Sequence, residues 1–128
     1  MVRAVEKKLY RNYLKKAEEM LDVAEYAANK SKNNAAVTAA IHCAINAIDS
    51  LAVFYFGKRH SGKHEDALDV IKGALSEIEF RDLVKQFSGL IELKNEAEYQ
   101  PDLMERQQAN DAIKRASRIL SKVQEKLV

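Results

Sequence analysis

Hydrophobic residues recur three and four positions apart along most of the chain, which is the period of one face of an α-helix. Polar and charged residues fill the remaining positions, and short polar or glycine-containing segments interrupt the pattern. The pattern predicts helices over about 2–30, 35–56, 65–75, 76–94 and 103–127. Four long helices and one short helix with brief connections predict an all-α, up-and-down four-helix bundle with one additional short helix. We expect residues 1–128 to form a single domain.

The segment 35–56 is the most apolar part of the chain and carries seven alanines. Small side chains on several faces let other helices approach closely, so this helix is predicted to lie at the centre of the bundle. Its few polar residues, Thr38, His42, Asn46 and Asp49, follow one side of the helix. Such a stripe is expected to face water, a partner chain or a binding site. For His42, a hydrogen-bonded structural role and a role as a base both remain open.

Short signals at the helix ends refine these boundaries. An asparagine of the turn 31–34 is predicted to cap the second helix, and Gly57 is predicted to end it. Ser76 with Glu79 three residues later forms the pattern of a capping box, and Asp102 with Glu105 repeats that spacing before the last helix.

Composition narrows the class of protein further. The chain has one cysteine, Cys43, so it cannot form an internal disulfide, and it has one proline and four glycines among 128 residues. No window reaches the roughly 18 uninterrupted apolar residues that a membrane span needs. We therefore expect a cytoplasmic protein that is not associated with a membrane.

The net charge of +2 is small, but the positive charges are unevenly distributed. Residues 1–16 contain six basic side chains against Glu6 alone. Arg3, Lys7, Arg11 and Lys15 repeat every fourth residue, which would align them along one helix face. A solvated helix face explains this stripe, and a surface for phosphates is the functional alternative.

A second basic segment follows the central helix. The loop 57–64 holds Lys58, Arg59 and Lys63 together with two histidines, His60 and His64. Glycine between the histidines argues against a helical metal pair, and no other His, Cys or Asp cluster has ligand spacing. A glycine-rich phosphate loop and a cysteine pair are also missing from the sequence, so we expect neither a metal nor a cofactor.

Lys94 is the most unusual residue of the fourth helix. At 100° per residue it falls close to Phe87 and Ile91, on the apolar stripe of that helix. If the helix ends here, the ammonium group can extend past the rim of the core. The alternative is a cation directed into a cleft between helices.

Three segments resemble a known family. The segment 33–44, NNAAVTAAIHCA, is similar to the second-helix signature of HEPN domains, small helical proteins whose name stands for "higher eukaryotes and prokaryotes nucleotide-binding". The segment 61–68, SGKHEDAL, resembles the family's loop into its short helix, and 93–101, LKNEAEYQP, resembles the segment that closes its next long helix. The resemblance covers nearly the whole chain in order.

The resemblance implies a site at the end of the fourth helix. Ribonucleases of this family carry Arg-Asn, three residues and then His at the mouth of a dimer cleft, with the arginine at the phosphate and the histidine in 2′-OH-directed cleavage. Here the corresponding residues are Lys94, Asn95 and Tyr99. Lysine keeps the charge but not the bidentate fork of arginine, and tyrosine, with an ordinary pKa near 10, is a poor general base at neutral pH.

The resemblance therefore implies a nucleotide-associated homodimer without catalysis of its own, the partner of a small nucleotidyltransferase in a toxin–antitoxin-like pair. The alternative is a metal-independent ribonuclease that uses Lys94, Asn95 and a histidine from a neighbouring helix or loop. The candidate ligand-binding residues are Lys94, Asn95, Tyr99, His42 and His64, with a basic patch of Lys58, Arg59 and Lys63.

Overall fold

A computed structural model describes residues 2–60 and 66–128, and in this part of the chain the fold is a helical bundle. The helices, numbered in chain order, are α1 (Tyr10–Asn29), α2 (Asn33–Phe56), α3 (Ala67–Ile71), α4 (Glu77–Tyr99) and α5 (Arg106–Lys126). The predicted all-α bundle of four long helices and one short helix is confirmed.

Helix α2 lies at the centre of the bundle and packs against α1, α3, α4 and α5. Ala36, Ala40, Ala44 and Ala47 are completely buried along it, because alanine allows neighbouring helices to come close without leaving voids. Helix α2 is also long and apolar enough to cross a membrane by composition, but 72% of that stretch is buried inside the fold, as is typical of a core helix.

The start of the chain differs from the prediction. Residues 2–4 form a strand, β1 (Val2–Ala4), which pairs antiparallel with β2 (Lys58–His60), and a 3₁₀ turn over Lys7–Leu9 leads into α1. The helix predicted from residue 2 was wrong there because the backbone groups of residues 2–4 pair with those of β2 instead of with each other in a helical turn. Arg3 and Lys7 consequently do not share a helix face with Arg11.

The fourth helix is longer than predicted. Helix α4 continues to Tyr99, so Lys94 does not lie at a helix end and residues 95–99 are helical. Pro101 restricts only the residue before it, and Gln100 is indeed extended, with ψ 144°. The expectation that the helix ends at Lys94 was wrong for this reason.

The helix ends agree with the predictions in part. The capping box of Ser76 and Glu79 is present, with both reciprocal hydrogen bonds, and Gly57 ends α2 in the left-handed region at φ 64°. The last helix begins instead at a capping box of Glu105 and Gln108. The position before α2 is Lys32, without a side-chain cap.

The two other local predictions also need correction. Asn34 does not cap α2, because its side-chain oxygen accepts a hydrogen bond from the backbone N–H of Met104 at 2.8 Å. The short helix predicted over 65–75 consists of α3 followed by a 3₁₀ turn over Lys72–Ala74, and residue 65 lies outside the described part.

Candidate functional site

A small cleft opens between α2 and α4, and we call it the α2–α4 cleft. Its volume is about 50 Å³. Its lining residues come from the middle of α2 and from the C-terminal half of α4: Thr38, Ile41, His42, Ile45, Lys94, Ala97 and Glu98. Ligand pockets for drug-sized molecules are several hundred Å³. This cleft can therefore admit a group the size of a phosphate, and a larger ligand must extend over the surface.

Lys94 supplies the positive charge of the cleft. Its ammonium group forms an ion pair with Glu98 at 3.0 Å, with 28% of the lysine side chain and 48% of the glutamate side chain exposed. The pair is four residues apart on one helix, so both side chains lie on the same face of α4. An anion that enters the cleft has to compete with Glu98 for Lys94.

On the opposite wall, α2 contributes an apolar floor and a polar mouth. Ile41 is buried and Ile45 is half-buried, whereas Thr38 and His42 are exposed one turn apart. The structure thus brings His42 and Lys94, which are more than fifty residues apart in sequence, to the same cleft. A hydroxyl, an imidazole and an ammonium group around one opening provide donors suited to phosphate oxygens.

Asn95 and Tyr99 lie on α4 but outside the lining of the cleft. Both are exposed, and Tyr99 is 74% exposed at the last turn of the helix. At 100° per residue, Tyr99 lies about 140° around the helix from Lys94, whereas Asn95 and Tyr99 are separated by only about 40°. The structure therefore places Asn95 and Tyr99 together on a neighbouring face of α4.

The fourth polar residue of the α2 stripe is in a different environment. Asp49 is only 5% exposed and lines a cavity of about 10 Å³ together with His60. Burial raises the pKa of the Asp49 carboxyl to about 6, although the nearby Arg59 guanidinium lowers it. We call Asp49, Arg59 and His60 the Asp49 cluster.

Arg59 connects the Asp49 cluster to α1. Its guanidinium donates a hydrogen bond to the Tyr13 hydroxyl at 3.3 Å and lies 5.7 Å from the centre of the Tyr13 ring. The hydrogen bond to Tyr13 raises the pKa of Arg59, and the charge of Asp49 raises it further. Of the predicted basic patch, Lys58 is exposed and Arg59 is half-buried, whereas Lys63 and the candidate His64 lie outside the described residues.

Other features of the described residues are less suited to an anionic ligand. An open groove of about 800 Å³ lies beside the end of α4, but Glu96, Asp102 and Glu105 line it and would repel a phosphate.

Cys43 is buried, and burial raises the pKa of its thiol to about 12, so it is not a reactive nucleophile. Residues 2–60 and 66–128 contain no group of three His, Cys, Asp or Glu side chains arranged to hold a metal.

One relevant residue and two tertiary features were missed at the level of sequence. Glu98 could have been found, because a Lys and a Glu four residues apart on a helix form a recognisable pair. The burial of Asp49 and the pairing of β1 with β2, which brings Arg3 opposite Arg59, had no local signal.

Comparison with known proteins identifies the family. The family model described as HEPN domain matches residues 10–126, which run from the first residue of α1 to the last residue of α5. No curated protein and no solved structure matches the chain. HEPN domains indicate a nucleotide- or RNA-related function. The resemblance of three sequence segments is thereby confirmed over nearly the whole chain, and this protein belongs to the HEPN domain family.

Proposed function

We propose that this protein is a nucleotide-associated binding protein that holds a phosphate group in the α2–α4 cleft and acts as the non-catalytic partner of a small nucleotidyltransferase. The observation that carries the proposal is the position of Lys94 beside Thr38 and His42 at one opening. Lys94 keeps 28% of its side chain exposed at this opening, so its ammonium group can form charge-assisted hydrogen bonds with an anionic ligand.

The residues of α4 support binding rather than ribonuclease chemistry. A lysine at position 94 offers a point charge for phosphate, but it lacks the fork of donors that arginine provides. Tyr99 is exposed and lies outside the cleft, so it offers no base to a group bound there. We therefore expect the purified protein to bind nucleotide phosphates without cleaving RNA.

Titration with ATP tests this function. Lys94→Ala is expected to weaken ATP binding by about 1–3 kcal/mol, the range for a hydrogen bond to a charged group. Lys32→Ala is the matched control, because this substitution removes the same charge from an exposed position in the turn before α2. Equal losses in the two variants, or no loss in Lys94→Ala, would contradict the assignment of the cleft.

The proposed partner and oligomeric state have separate tests. We propose a two-fold homodimer, which light scattering at tens of micromolar, a concentration on the scale of ordinary affinities, should detect. Coexpression with a small nucleotidyltransferase from the same organism should give a complex that survives gel filtration. A monomer, or separate elution of the two proteins, would contradict these two parts of the proposal.

One observation favours a second candidate function, a metal-independent ribonuclease. His42 and Lys94 line the same cleft, so an imidazole for proton transfer and a cation for developing phosphate charge are both available there. Cleavage of RNA in the presence of a chelator, lost in both Lys94→Ala and His42→Ala, would establish this function in place of the first. Activity that appears only in Lys94→Arg plus Tyr99→His would instead support the non-catalytic assignment.

A further inference from the structure

We propose that Glu98 is a built-in competitor at the α2–α4 cleft: its carboxylate pairs with Lys94 in the unliganded protein, and a phosphate group binds by displacing it. This inference rests on the proposed function and adds the regulation of that same site. It makes Glu98 a residue that sets the affinity of the cleft, rather than one that only supports α4.

The carboxylate of Glu98 occupies the cation of the cleft. The Lys94 ammonium group donates a hydrogen bond to Glu98 Oε2 at 3.0 Å, and both side chains line the cleft. Among the described residues that line it, Lys94 carries the only fixed positive charge and Glu98 the only carboxylate. The group best suited to bind a phosphate is therefore already paired.

A second ion pair with the same spacing shows what a structural pair looks like in this fold. Arg115 and Asp111 are four residues apart on α5, lie 2.9 Å from each other and are 27% and 46% exposed. Arg115 also donates hydrogen bonds across to α4, to the Gln86 side chain at 3.3 Å and to a backbone carbonyl at 3.4 Å. Within residues 2–60 and 66–128, Lys94 donates a hydrogen bond to Glu98 alone. The pair of Lys94 and Glu98 therefore joins no two helices.

Glu98 can leave the pair at low cost. It is the last residue but one of α4, and 48% of its side chain is exposed. Exposed pairs of this kind contribute little to stability, because water solvates both charges well. Rotation of the Glu98 side chain toward water would leave Lys94 beside Thr38 and His42 without its counter-ion.

Two physical effects of Glu98 then lower the affinity for an anion. Pairing reduces the fraction of molecules in which Lys94 is free, and the apparent dissociation constant rises as that fraction falls. A carboxylate that stays near the cleft also repels a phosphate. Replacement of Glu98 by a neutral residue removes both effects. If Glu98 instead held Lys94 in position for the ligand, the same replacement would weaken binding.

Titration of Glu98→Gln with ATP near 0.1 M salt tests the inference. Glutamine keeps the size of the glutamate side chain without its charge, so the affinity should rise by about fivefold. Glu92→Gln is the matched control, because Glu92 is exposed on α4 and lies about 160° around the helix from Lys94. The control removes the same charge from the same helix and should change the affinity by less than about twofold, since salt screens the more distant charge.

The Lys94→Ala background separates competition from other effects of the charge. Without Lys94 the carboxylate has no cation to occupy, so Glu98→Gln should then change the affinity by less than about twofold. A gain that persists in this background would overturn the inference. So would weaker binding in Glu98→Gln, or equal changes in Glu98→Gln and Glu92→Gln.

These outcomes are distinct from failure of the proposed function. If Lys94→Ala loses ATP binding while Glu98→Gln gains none, the cleft assignment stands and the competition is overturned. If Lys94→Ala binds ATP as the wild-type protein does, the cleft assignment is overturned and the competition with it. Misfolding cannot imitate the expected result, because a misfolded variant would bind ATP more weakly rather than more tightly.

Discussion

The two ends of the polar stripe on α2 differ in what surrounds them. At one end His42 and Thr38 are exposed beside Lys94, which keeps more than a quarter of its side chain exposed. At the other end Asp49 is almost completely buried below β2 and beside Arg59. Residues that follow one side of a single helix thus occupy an open cleft at one end and a closed cluster at the other.

Because of this difference, we expect the α2–α4 cleft to affect ligand binding and the Asp49 cluster to affect the stability of the fold. A charge that water can reach keeps most of its hydration and remains available to a ligand, whereas a charge that is buried on folding loses hydration and changes the free energy of unfolding. The α2–α4 cleft should therefore tolerate substitution with little change in stability. The Asp49 cluster should respond to substitution and to pH through the stability of the whole bundle.

The largest expected effect is the pH dependence caused by Asp49. Its pKa of about 6 in the folded protein lies above the ordinary value of 3.8, so between these pH values the folded state holds a proton that the unfolded state releases. The free energy of unfolding should therefore fall as pH rises through this window, by about 3 kcal/mol in total, and stay lower above it. Asp49→Asn remains neutral and should lack this loss.

Urea unfolding at about pH 4 and about pH 8 measures this effect. The stability of Asp49→Asn minus that of the wild-type protein should be about 2–2.5 kcal/mol larger at about pH 8 than at about pH 4, because part of the titration of the unfolded state already lies below the lower pH. Asp22→Asn, at an exposed position of α1, is the control and should show no comparable difference. A difference below about 1 kcal/mol for Asp49→Asn would contradict the burial of an ionisable carboxyl there.

A smaller effect is expected from Arg59→Gln. This change removes the positive charge that lowers the pKa of Asp49 and the hydrogen bond to Tyr13. Stability at about pH 8 should fall by roughly 1–2 kcal/mol, and less at about pH 4, where Asp49 is protonated. Arg118→Gln, which breaks the exposed ion pair with Asp82, should cost no more than about 0.5 kcal/mol at either pH. Similar losses for both arginines would indicate that Arg59 has no special relation to Asp49.

The smallest expected change in stability is that of Lys94→Ala. Its ion pair with Glu98 is partly exposed, with the lysine on the N-terminal side, the weaker order for a helical pair, and alanine is the better helix former. Thermal unfolding should therefore show a change within about 0.5 kcal/mol, even though ATP binding is expected to weaken. Destabilisation by more than about 1 kcal/mol would mean that Lys94 holds the bundle together and would weaken its assignment to a ligand.

The sequence by itself determined the helices and their order. The apolar period along α2 and α5, the alanines of α2, Gly57 and the capping box of Ser76 are local signals, and local backbone chemistry acts on them in the same way in any fold. The position of Lys94 on the apolar side of α4 also followed from helical period alone.

Only the tertiary structure decided which polar residues meet. Residues 2–4 are extended because β2 supplies hydrogen-bond partners from more than fifty positions away, and the distance along the chain hides that pairing. His42 joins Lys94, and Asp49 becomes buried, because α4 covers one end of the α2 stripe incompletely while β2 and α3 close the other. Burial and charge depend on neighbours brought together by packing, so a pattern along one helix cannot specify them.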